Sequence, residues 1–289
     1  MKLSEIYGNN TASEGNSHNP AISFEVFPPK KGEEEFGILL DELNQLKRFN
    51  PALVSLTYGA GGNNNSSMKL VELLNRDFNV MPHFTCVCND RAGVELHIKE
   101  IETMGINNIL ALRGDIPQDK SLCKTDFKHA NELIEFIKAK TDLSIGCAGY
   151  PEGHIESLSI ADDIQNLKKK VDAGAAAIYT QLFFDNEKFF SYIEAVRKIG
   201  INVPIIAGLM PVISTKQIER MTSMAKISIP KKLSEGLEKY KDSPSALKEF
   251  GIEFGTQQCC GLIEQGVQGL HFYTLNKSYS TAKILENIL

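Results

Sequence analysis

Apolar segments with many β-branched residues alternate along the chain with amphipathic helical patterns. The eight strand-like segments cover residues 21–27, 52–58, 80–87, 106–112, 143–149, 175–183, 203–209 and 267–274. Between most of them, apolar residues recur at the spacing of one buried helix face, as in residues 36–46 and 160–171. Eight repeats of strand and helix predict an α/β fold, a closed parallel (β/α)8 TIM barrel with its active site at the carboxyl ends of the strands.

The spacing of the strands also predicts the domain organisation. Consecutive strands start roughly thirty residues apart, the length of one βα unit, but the gap doubles before the eighth strand. Residues 214–266 fill that gap with more than one helical pattern, so we expect an extra helical segment between strands 7 and 8. The barrel is predicted to occupy residues 21–289 as one domain. A flexible lead-in rich in Asn, Ser and Gly is expected at residues 1–20.

Composition narrows the functional classes. The 289 residues are 42% hydrophobic and 23% charged, which is ordinary for a soluble globular protein. A formal net charge of −5 without a basic stripe argues against a nucleic-acid-binding surface. No apolar run approaches the ~20 residues that span a bilayer, and the first residues lack the pattern of a signal peptide. We therefore expect a cytoplasmic protein without membrane or nucleic-acid partners.

Two familiar kinds of site are disfavoured. The six histidines are scattered, with neither H-x-H nor H-E-x-x-H spacing, so a metal hydrolase is disfavoured and no metal site is expected. No G-x-G-x-x-G follows any strand, which excludes a Rossmann cofactor domain. A dinucleotide, if the chain binds one, must lie across the mouth of the barrel.

The first strand carries a carboxylate that can do proton chemistry. In SFEVFPPK, residues 23–30, alternation places Ser23, Glu25 and Phe27 on one face of the strand. Near the barrel mouth, loss of water would raise the pKa of Glu25, as a general acid working near neutral pH requires. The alternative is a structural glutamate paired with a nearby Lys or Arg, and the spacing fits both readings equally well.

The fourth strand ends in LRGD, residues 112–115. Gly114 allows the backbone to approach a ligand, Arg113 offers the planar fork that suits phosphate, and Asp115 can accept paired hydrogen bonds from a ring edge. A turn with a surface salt bridge would use the same residues, so the argument depends on their position at a strand end. Other strand ends also supply polar groups: Tyr58, Thr85, Tyr150, Gln181 and Tyr273.

Nine sequence blocks are recognisable as an ordered set. They are SFEVFPPK, LTYGAGG, PHFTC, ALRGD, YPEGH, NLKKKVDAGA, TQLFFD, GLMPV and HFYTLNK. In these blocks the chain resembles the 5,10-methylenetetrahydrofolate reductase family, from about residue 22 to near its C-terminus. It is similar to the short bacterial form, a catalytic barrel without the C-terminal regulatory domain of the animal enzymes.

The resemblance implies a flavin-dependent reaction. FAD would bind at the barrel mouth and be reduced by NADH or NADPH. The reduced flavin would pass a hydride to 5,10-methylenetetrahydrofolate, giving 5-methyltetrahydrofolate for methionine synthesis. Both substrates would use the same flavin face in turn, in a ping-pong cycle.

The resemblance also assigns roles to individual residues. Glu25 matches the general acid that protonates the folate, so that its five-membered ring opens to a reactive iminium. Asp115 matches an aspartate beside the flavin that holds the pterin edge and tunes the flavin potential. The positions that match contacts of FAD are Thr57, Tyr58, Ala60, His83, Arg113, Gly114, Asp115, Tyr150, His154, Asp163, Asn166, Lys169 and Lys170. The positions that match contacts of the folate or the nicotinamide are Asp115, Gln181, Gln217, Tyr273 and Lys277.

Two of these positions depart from the family pattern. Lys277 stands where many members have Arg, and Lys169 replaces an Arg found in some relatives. Lys is a point charge without the planar fork of Arg. Since neither change removes a charge, we expect tuned affinity and retained activity.

Other functions remain open at this stage. A different flavin barrel, such as a proline-dehydrogenase-like oxidase, should lack the SFEVFPPK and LRGD blocks, which are both present. A barrel that receives electrons from a partner iron–sulfur protein would retain the same catalytic residues. A non-catalytic folate-binding module would have no need of both Glu25 and Asp115. The choice between NADH and NADPH is open, with NADH preferred, and the family suggests a homo-oligomer, a dimer or a tetramer.

Overall fold

The computed structural model of the chain describes residues 1–8, 19–57, 65–115 and 126–289. Eight parallel strands pair in chain order, and the last pairs with the first, so the sheet closes into a barrel. The strands are β1 Ala21–Val26, β2 Leu53–Leu56, β3 Val80–Thr85, β4 Asn108–Leu112, β5 Ser144–Gly149, β6 Ala177–Thr180, β7 Ile205–Leu209 and β8 Gly269–Tyr273. Each strand lies within its predicted segment, and the predicted (β/α)8 barrel is confirmed.

Helices surround the sheet. The described part of the chain contains α1 Leu3–Gly8, α2 Phe36–Lys47, α3 Asn65–Asn75, α4 Arg91–Thr103, α5 Ala130–Lys138, α6 Ile160–Asp172, α7 Asn186–Lys198, α8 Thr215–Ala225, α9 Lys231–Lys239, α10 Pro244–Glu264 and α11 Tyr279–Ile288, with a short 3-10 helix at Gly32–Glu35. Helices α8, α9 and α10 lie between β7 and β8, which confirms the predicted extra helical segment. None of the helices in the described ranges combines the length and apolar content that a bilayer crossing needs.

Alternation along the strands separates two hydrophobic layers. Phe24, Val54 and Ile178 belong to a buried cluster that the strands share with the surrounding helices. Leu53 and Tyr179 belong to a second buried cluster, inside the barrel. Polar residues take over the inner face towards the carboxyl ends of several strands, so the candidate site rests on a closely packed apolar base.

The amino-terminal end of the barrel is closed by α1. Leu3 and Tyr7 are fully buried and join the cluster inside the barrel, and the Tyr7 hydroxyl lies 3.0 Å from the Tyr179 hydroxyl. The expectation of a flexible lead-in is therefore wrong for residues 3–8. The reason is that Leu3 and Tyr7 lie about one helical turn apart and bury their side chains on the same face. Residues 9–18 of the predicted lead-in lie outside the described residues.

Candidate active site

A buried carboxylate lies near the carboxyl end of β1 and is surrounded by side chains of neighbouring strands. Glu25 is 6% exposed. Its Oε2 atom lies 3.3 Å from His83 Nε2 of β3 and 3.6 Å from His271 Nε2 of β8. The Thr57 hydroxyl, just after β2, donates a hydrogen bond to Glu25 Oε1 at 3.1 Å. The structure thus brings the predicted residues Glu25, Thr57 and His83 together, and it adds His271 to them.

These neighbours set the charge of Glu25. Burial raises the pKa of the Glu25 carboxyl, but the charges and hydrogen bonds of His83 and His271 outweigh burial and hold this pKa well below its usual range. The sequence-based expectation of a raised pKa is therefore wrong. The prediction considered only the effect of burial on the Glu25 pKa, because sequence alone does not show that His83 of β3 and His271 of β8 lie beside this carboxyl. An ionised carboxylate facing two imidazoles is a unit that can hold and exchange protons.

The inner side of this cluster is made by residues that the sequence analysis did not assign. His271 Nδ1 lies 2.8 Å from Ser23 Oγ, and His271 Nε2 lies 3.5 Å from Ser55 Oγ. The His271 ring stands edge-on to Tyr179 and Tyr273, with ring centroids 5.1 Å and 5.4 Å apart. The signal was available, because alternation along β8 puts His271 on the same face as Tyr273. Only the register, which pairs Ser23 with His271, shows that the two meet.

Seven of the predicted cofactor contacts line one cavity of about 360 Å³ beside the carboxyl ends of β4 and β5. They are Arg113, Tyr150, His154, Asp163, Asn166, Lys169 and Lys170. Because these residues come from two strand ends and from α6, their meeting in one cavity depends on the barrel topology. Tyr58 and Ala60, which were also predicted to contact the cofactor, lie outside the described residues.

Helix α6, whose N-cap residue is Ser159, supplies the charged wall of this cavity. Lys170 Nζ donates to the Ala148 carbonyl at 2.6 Å and lies 5.6 Å from the centroid of the Tyr150 ring. Lys169 Nζ donates to the Asn166 side chain at 2.9 Å. The helix therefore directs two cations at a cavity that also contains an aromatic ring.

Asp163 of α6 is buried at the edge of the same cavity. Burial raises the pKa of its carboxyl, and the Lys170 charge and the Ser157 hydroxyl oppose this rise. The Ser157 hydroxyl donates to Asp163 Oδ1 at 3.0 Å. The His154 ring packs edge-on against Tyr150 at 4.7 Å between centroids. Lys170 and Ser157 thus offset only part of the effect of burial on the Asp163 pKa, and this carboxyl lies next to a candidate ligand site.

The LRGD turn has the glycine conformation expected of it, and its arginine forms the salt bridge of the alternative reading. Gly114 has φ +84°, and a Cβ atom built there would lie 2.7 Å from Val87 Cγ1 and 3.0 Å from Thr85 Cβ. Glycine is therefore required both for the backbone conformation and for the close approach. The Arg113 guanidinium pairs with both carboxylate oxygens of Glu156, and this hydrogen bonding raises the pKa of Arg113.

Asp115 lies at the exposed end of this turn. The chain continues from it into residues 116–125, which lie outside the described residues. Its position at the carboxyl end of β4, on the rim of the barrel, is the one expected for a residue that faces a ligand.

Three of the five predicted substrate contacts line two cavities on the other side of the mouth. Gln217, Tyr273 and Lys277 line a cavity of about 240 Å³. Gln217 and Lys277 also line a neighbouring, mainly apolar cavity of about 900 Å³, whose walls include Phe27 and Met221. Because Gln217 and Lys277 line both cavities, the two are adjacent, and together they suit a substrate with a ring and a long tail.

Four of the predicted substrate contacts make internal hydrogen bonds, and one of them is Gln217, whose Nε2 donates to the Pro211 carbonyl at 3.3 Å. The Tyr273 hydroxyl donates to the Thr180 carbonyl at 2.7 Å. Lys277 Nζ lies 3.2 Å from Glu42 Oε1. The Gln181 side chain accepts a hydrogen bond from the backbone of the next residue at 2.9 Å, and Gln181 lies after β6, outside the walls of both cavities.

Several observations test whether these residues fit FAD. His83 Nε2 is buried without a well-aligned hydrogen-bond partner among the described residues, so it can still bind a polar group of a ligand. Lys169 and Lys170 offer cations for phosphates, and Tyr150 offers an aromatic surface. The residues fit a flat cofactor that carries phosphate groups.

Comparison with known proteins identifies the family. The sequence model of the methylenetetrahydrofolate reductase family matches residues 10–289. The chain belongs to this family. The resemblance seen in its nine sequence blocks is therefore confirmed.

Individual relatives agree with this assignment. The chain is 38% identical over 287 residues to methylenetetrahydrofolate reductase (NADH) 1 of Arabidopsis thaliana, a match that covers 93% of the chain and 48% of the relative. It is 33% identical over 262 residues to 5,10-methylenetetrahydrofolate reductase of Pectobacterium carotovorum, covering 89% of the chain and 86% of the relative. The chain thus spans about half the length of the plant relative, whose match covers 48% of it, and most of the length of the bacterial one.

A solved structure shares the fold. A protein from Clostridium thermocellum, described as binding two copies of 5-methyl-5,6,7,8-tetrahydrofolic acid, superposes with a TM-score of 0.68. The match covers 94% of this chain and 96% of that protein, at 16% sequence identity. At this identity the likeness supports the barrel architecture alone.

Proposed function

We propose that this member of the methylenetetrahydrofolate reductase family reduces 5,10-methylenetetrahydrofolate to 5-methyltetrahydrofolate. The electrons come from NADH or NADPH, with FAD as the cofactor. The observation that carries the proposal is the buried Glu25 carboxyl, held by Thr57, His83 and His271 near the end of β1. A carboxyl group enclosed between two imidazoles that can pass it a proton, at the end of the barrel where such folds place their chemistry, suits acid-assisted opening of a folate ring.

The cavity beside β4 and β5 is proposed to hold FAD. Lys169 and Lys170 would bind its phosphates, and Tyr150 would pack against a ring, since all three line this cavity. His83 would contact it through Nε2, which has no well-aligned hydrogen-bond partner among the described residues, and Gly114 would contact it through its backbone. When bound, FAD would supply hydride transfer from the nicotinamide nucleotide to the folate in two successive half-reactions.

Glu25 would protonate the folate nitrogen that leaves the methylene bridge. The proton passes from a carboxyl oxygen to that nitrogen, the five-membered ring opens, and the methylene carbon becomes an electrophilic iminium ready for reduction. Thr57 holds Oε1 and so fixes the rotation of the carboxyl group. The buried position keeps bulk water away from the electrophile.

The remaining polar residues would bind and orient the two substrates. Asp115, at the exposed end of the LRGD turn, would accept hydrogen bonds from the pterin edge, and Gln181 would reach the folate or the nicotinamide from the end of β6. Gln217, Tyr273 and Lys277 line the cavity of about 240 Å³ that would receive the rest of the ligand. Lys277 would supply a single cation there in place of the planar fork of Arg.

The proposal extends to the metabolic role, the compartment and the oligomeric state of the protein. The product would supply methyl groups for methionine synthesis in the cytoplasm, and the chain would act as a homo-oligomer, a dimer or a tetramer. A partner iron–sulfur protein as the electron source remains the second candidate, because such a barrel would need the same Glu25 and Asp115.

Anaerobic stopped-flow spectroscopy tests the proposal. The purified yellow protein is mixed with NADH or NADPH, bleaching of the flavin is followed, and methylenetetrahydrofolate is then added. Bleaching followed by folate-dependent recovery is expected from this chain alone. Recovery only after chemical reduction of the flavin would move the electron source to a partner protein. No recovery with the folate would refute the proposed activity.

The Glu25→Gln variant tests the role of the acid. We expect flavin reduction by the nicotinamide nucleotide to stay near the wild-type rate, because no folate nitrogen is protonated in that step. Folate-dependent reoxidation should fall by about 10²–10⁴-fold, the usual contribution of a general acid. An equal loss in both half-reactions would contradict a folate-specific role for Glu25.

A further inference from the structure

We propose that His271 is a positioning residue that stores the proton which Glu25 delivers to the folate. The inference rests on the proposed function, since it concerns the source of the proton in that reaction. It assigns a task to a buried histidine that touches neither of the substrate cavities. The position of His271 inside the barrel and the contacts of its two ring nitrogens support this role.

His271 is held from both sides in a way that fixes its ring. It is fully buried on β8, and its Nδ1 lies 2.8 Å from Ser23 Oγ. The Ser23 hydroxyl can donate in turn to the Leu270 carbonyl, 3.4 Å away. With its own hydrogen directed to that carbonyl, Ser23 accepts from Nδ1–H and leaves His271 Nε2 to face Glu25.

This arrangement allows one proton to move between two groups without any other rearrangement. In the first state, the His271 imidazolium holds a proton on Nε2, and Glu25 is a carboxylate. In the second state, that proton sits on Glu25 Oε2, and His271 is neutral with Nδ1–H still bound to Ser23. The gap of 3.6 Å between Nε2 and Oε2 closes to hydrogen-bond distance with a side-chain shift of about 0.6 Å or more.

The proton balance of the reaction follows directly. The His271 imidazolium transfers its Nε2 proton to Glu25 Oε2 and becomes neutral. Glu25 then gives that proton to the folate nitrogen and is again a carboxylate. Water at the mouth restores the missing proton through Glu25 when the site opens, so no other reactant is needed.

The surroundings of the pair contain few groups that could take over this role. Facing His271 are Ser23 and Glu25 on β1, Ser55 on β2, Tyr179 on β6 and Tyr273 on β8. Burial raises the pKa of both tyrosines well above their usual value, so they stay neutral near neutral pH. Among the described residues, no Lys or Arg forms an ion pair with Glu25.

The second histidine beside Glu25 is suited to a different task. His83 Nε2 lies 3.3 Å from the same carboxylate oxygen, but the predicted cofactor contacts include His83, and its Nε2 has no well-aligned partner among the described residues. His271 is the more deeply buried of the two, and both of its nitrogens face protein groups. His271 therefore serves the interior side of Glu25, and His83 faces the ligand.

The His271→Gln variant tests the inference, with the two half-reactions measured separately over a range of pH. Glutamine is of similar size but cannot carry the proton. Flavin reduction should stay within about twofold of wild type, and folate-dependent reoxidation should fall about 10–100-fold at neutral pH. The decline of that step with rising pH should begin at least one pH unit lower, because protonation then depends on Glu25 without its store.

A measurement without turnover gives an independent readout. Side-chain ¹³C NMR of glutamate-labelled protein follows the Glu25 carboxyl, which the Glu25→Gln variant identifies by the loss of its resonance. In wild type, the pH dependence of this resonance should depart from that of an isolated carboxyl, because the Nε2 atom of His271 lies beside Glu25. The departure should be absent in His271→Gln. Identical titration curves in the two proteins would overturn the inference.

Two further variants separate proton storage from packing. Tyr179→Phe removes a hydroxyl beside the His271 ring, so it should lower thermal stability and leave the pH profile of folate reoxidation unchanged. Ser23→Ala removes the acceptor of Nδ1–H and should shift that profile in the same direction as His271→Gln, which keeps the test valid if His271→Gln does not fold. A wild-type pH profile in Ser23→Ala, or a shifted one in Tyr179→Phe, would count against the inference. Active wild type with unchanged variants would refute the inference alone, whereas inactive wild type would refute the proposed function.

Discussion

The charge of Glu25 is decided by its neighbours. Burial favours the protonated carboxyl, whereas His83 and His271 favour the carboxylate, and the structure gives the histidines the larger effect. To act as a general acid, Glu25 must therefore receive its proton from a neighbouring histidine or from water, because loss of water alone does not keep the carboxyl protonated. Because His83 and His271 both lie beside Oε2 of Glu25, a small displacement of one side chain changes which group holds the proton.

Gly114 gives a prediction at the scale of one residue. Gly114→Ala should lower the free energy of unfolding by about 2–4 kcal/mol, because alanine at φ +84° is strained and its Cβ would meet Val87 and Thr85. Gly105→Ala is the matched control, with φ +72° and no atom within 4 Å of the added Cβ. Chemical denaturation measures both variants. Equal losses would show that the close approach at Gly114 contributes nothing.

At the scale of one element, helix α6 contains a residue, Asp163, that lines the candidate cofactor cavity and lowers the stability of the fold. Asp163 is buried on this helix, and its pKa is raised because burial outweighs Lys170 and Ser157. A raised carboxyl pKa stabilises the fold below the usual range of aspartate, and this contribution is lost as the pH rises through the folded-state value. At neutral pH the ionised Asp163 therefore lowers the stability of the fold.

The Asp163→Asn variant should consequently be more stable than wild type at pH 7–8. We expect a rise in Tm of roughly 1–3 °C there, and a smaller rise as the pH falls and the wild-type carboxyl takes up its proton. The Ser157 hydroxyl can still donate to the side-chain amide oxygen of the introduced asparagine. Asp162→Asn, in the same helical turn, is the control and should bring no gain. A fall in Tm at every pH would contradict the argument.

Elements also show how far the sequence determines the fold. Each strand was predictable because its apolar run is bounded by turn residues and followed by a helical period. Helix α1 was not, because six residues are too few for a clear period and polar residues follow it directly. Its place under the barrel follows from packing against Tyr179, which belongs to a strand far along the chain.

The candidate site was predictable to a different extent. Alternation identified Glu25 and Ser23, and strand ends identified Arg113 and Tyr150, whereas their assignment to particular ligands came from the family resemblance. The pairing of Arg113 with Glu156 joins a strand end to a loop beyond the next strand, so local pattern could not reveal it. The charge of Glu25 also required distances between strands, which only the closed barrel supplies.

At the scale of the whole molecule, the candidate site and the apolar packing around α1 lie at opposite ends of the barrel. The carboxyl ends carry Glu25 and the candidate ligand cavities, and the amino ends are filled by α1 and the apolar cluster around it. In such barrels the amino-terminal face serves stability and the carboxyl-terminal face serves catalysis. Substitutions in α1 should therefore lower the free energy of unfolding and leave the activity nearly unchanged.

Leu3→Ala tests this division. Leu3 is fully buried at the closed end, so the change should lower the free energy of unfolding by about 2–5 kcal/mol through the cavity it leaves. Leu96→Ala removes the same atoms from a side chain that is 59% exposed, and it should cost less than about 0.5 kcal/mol. Folate-dependent reoxidation at 25 °C should stay within about twofold of wild type in both variants, because the barrel between α1 and Glu25 is closely packed. If Leu3→Ala slowed this half-reaction strongly while still folded, the two ends would be coupled, and α1 would belong to the catalytic machinery.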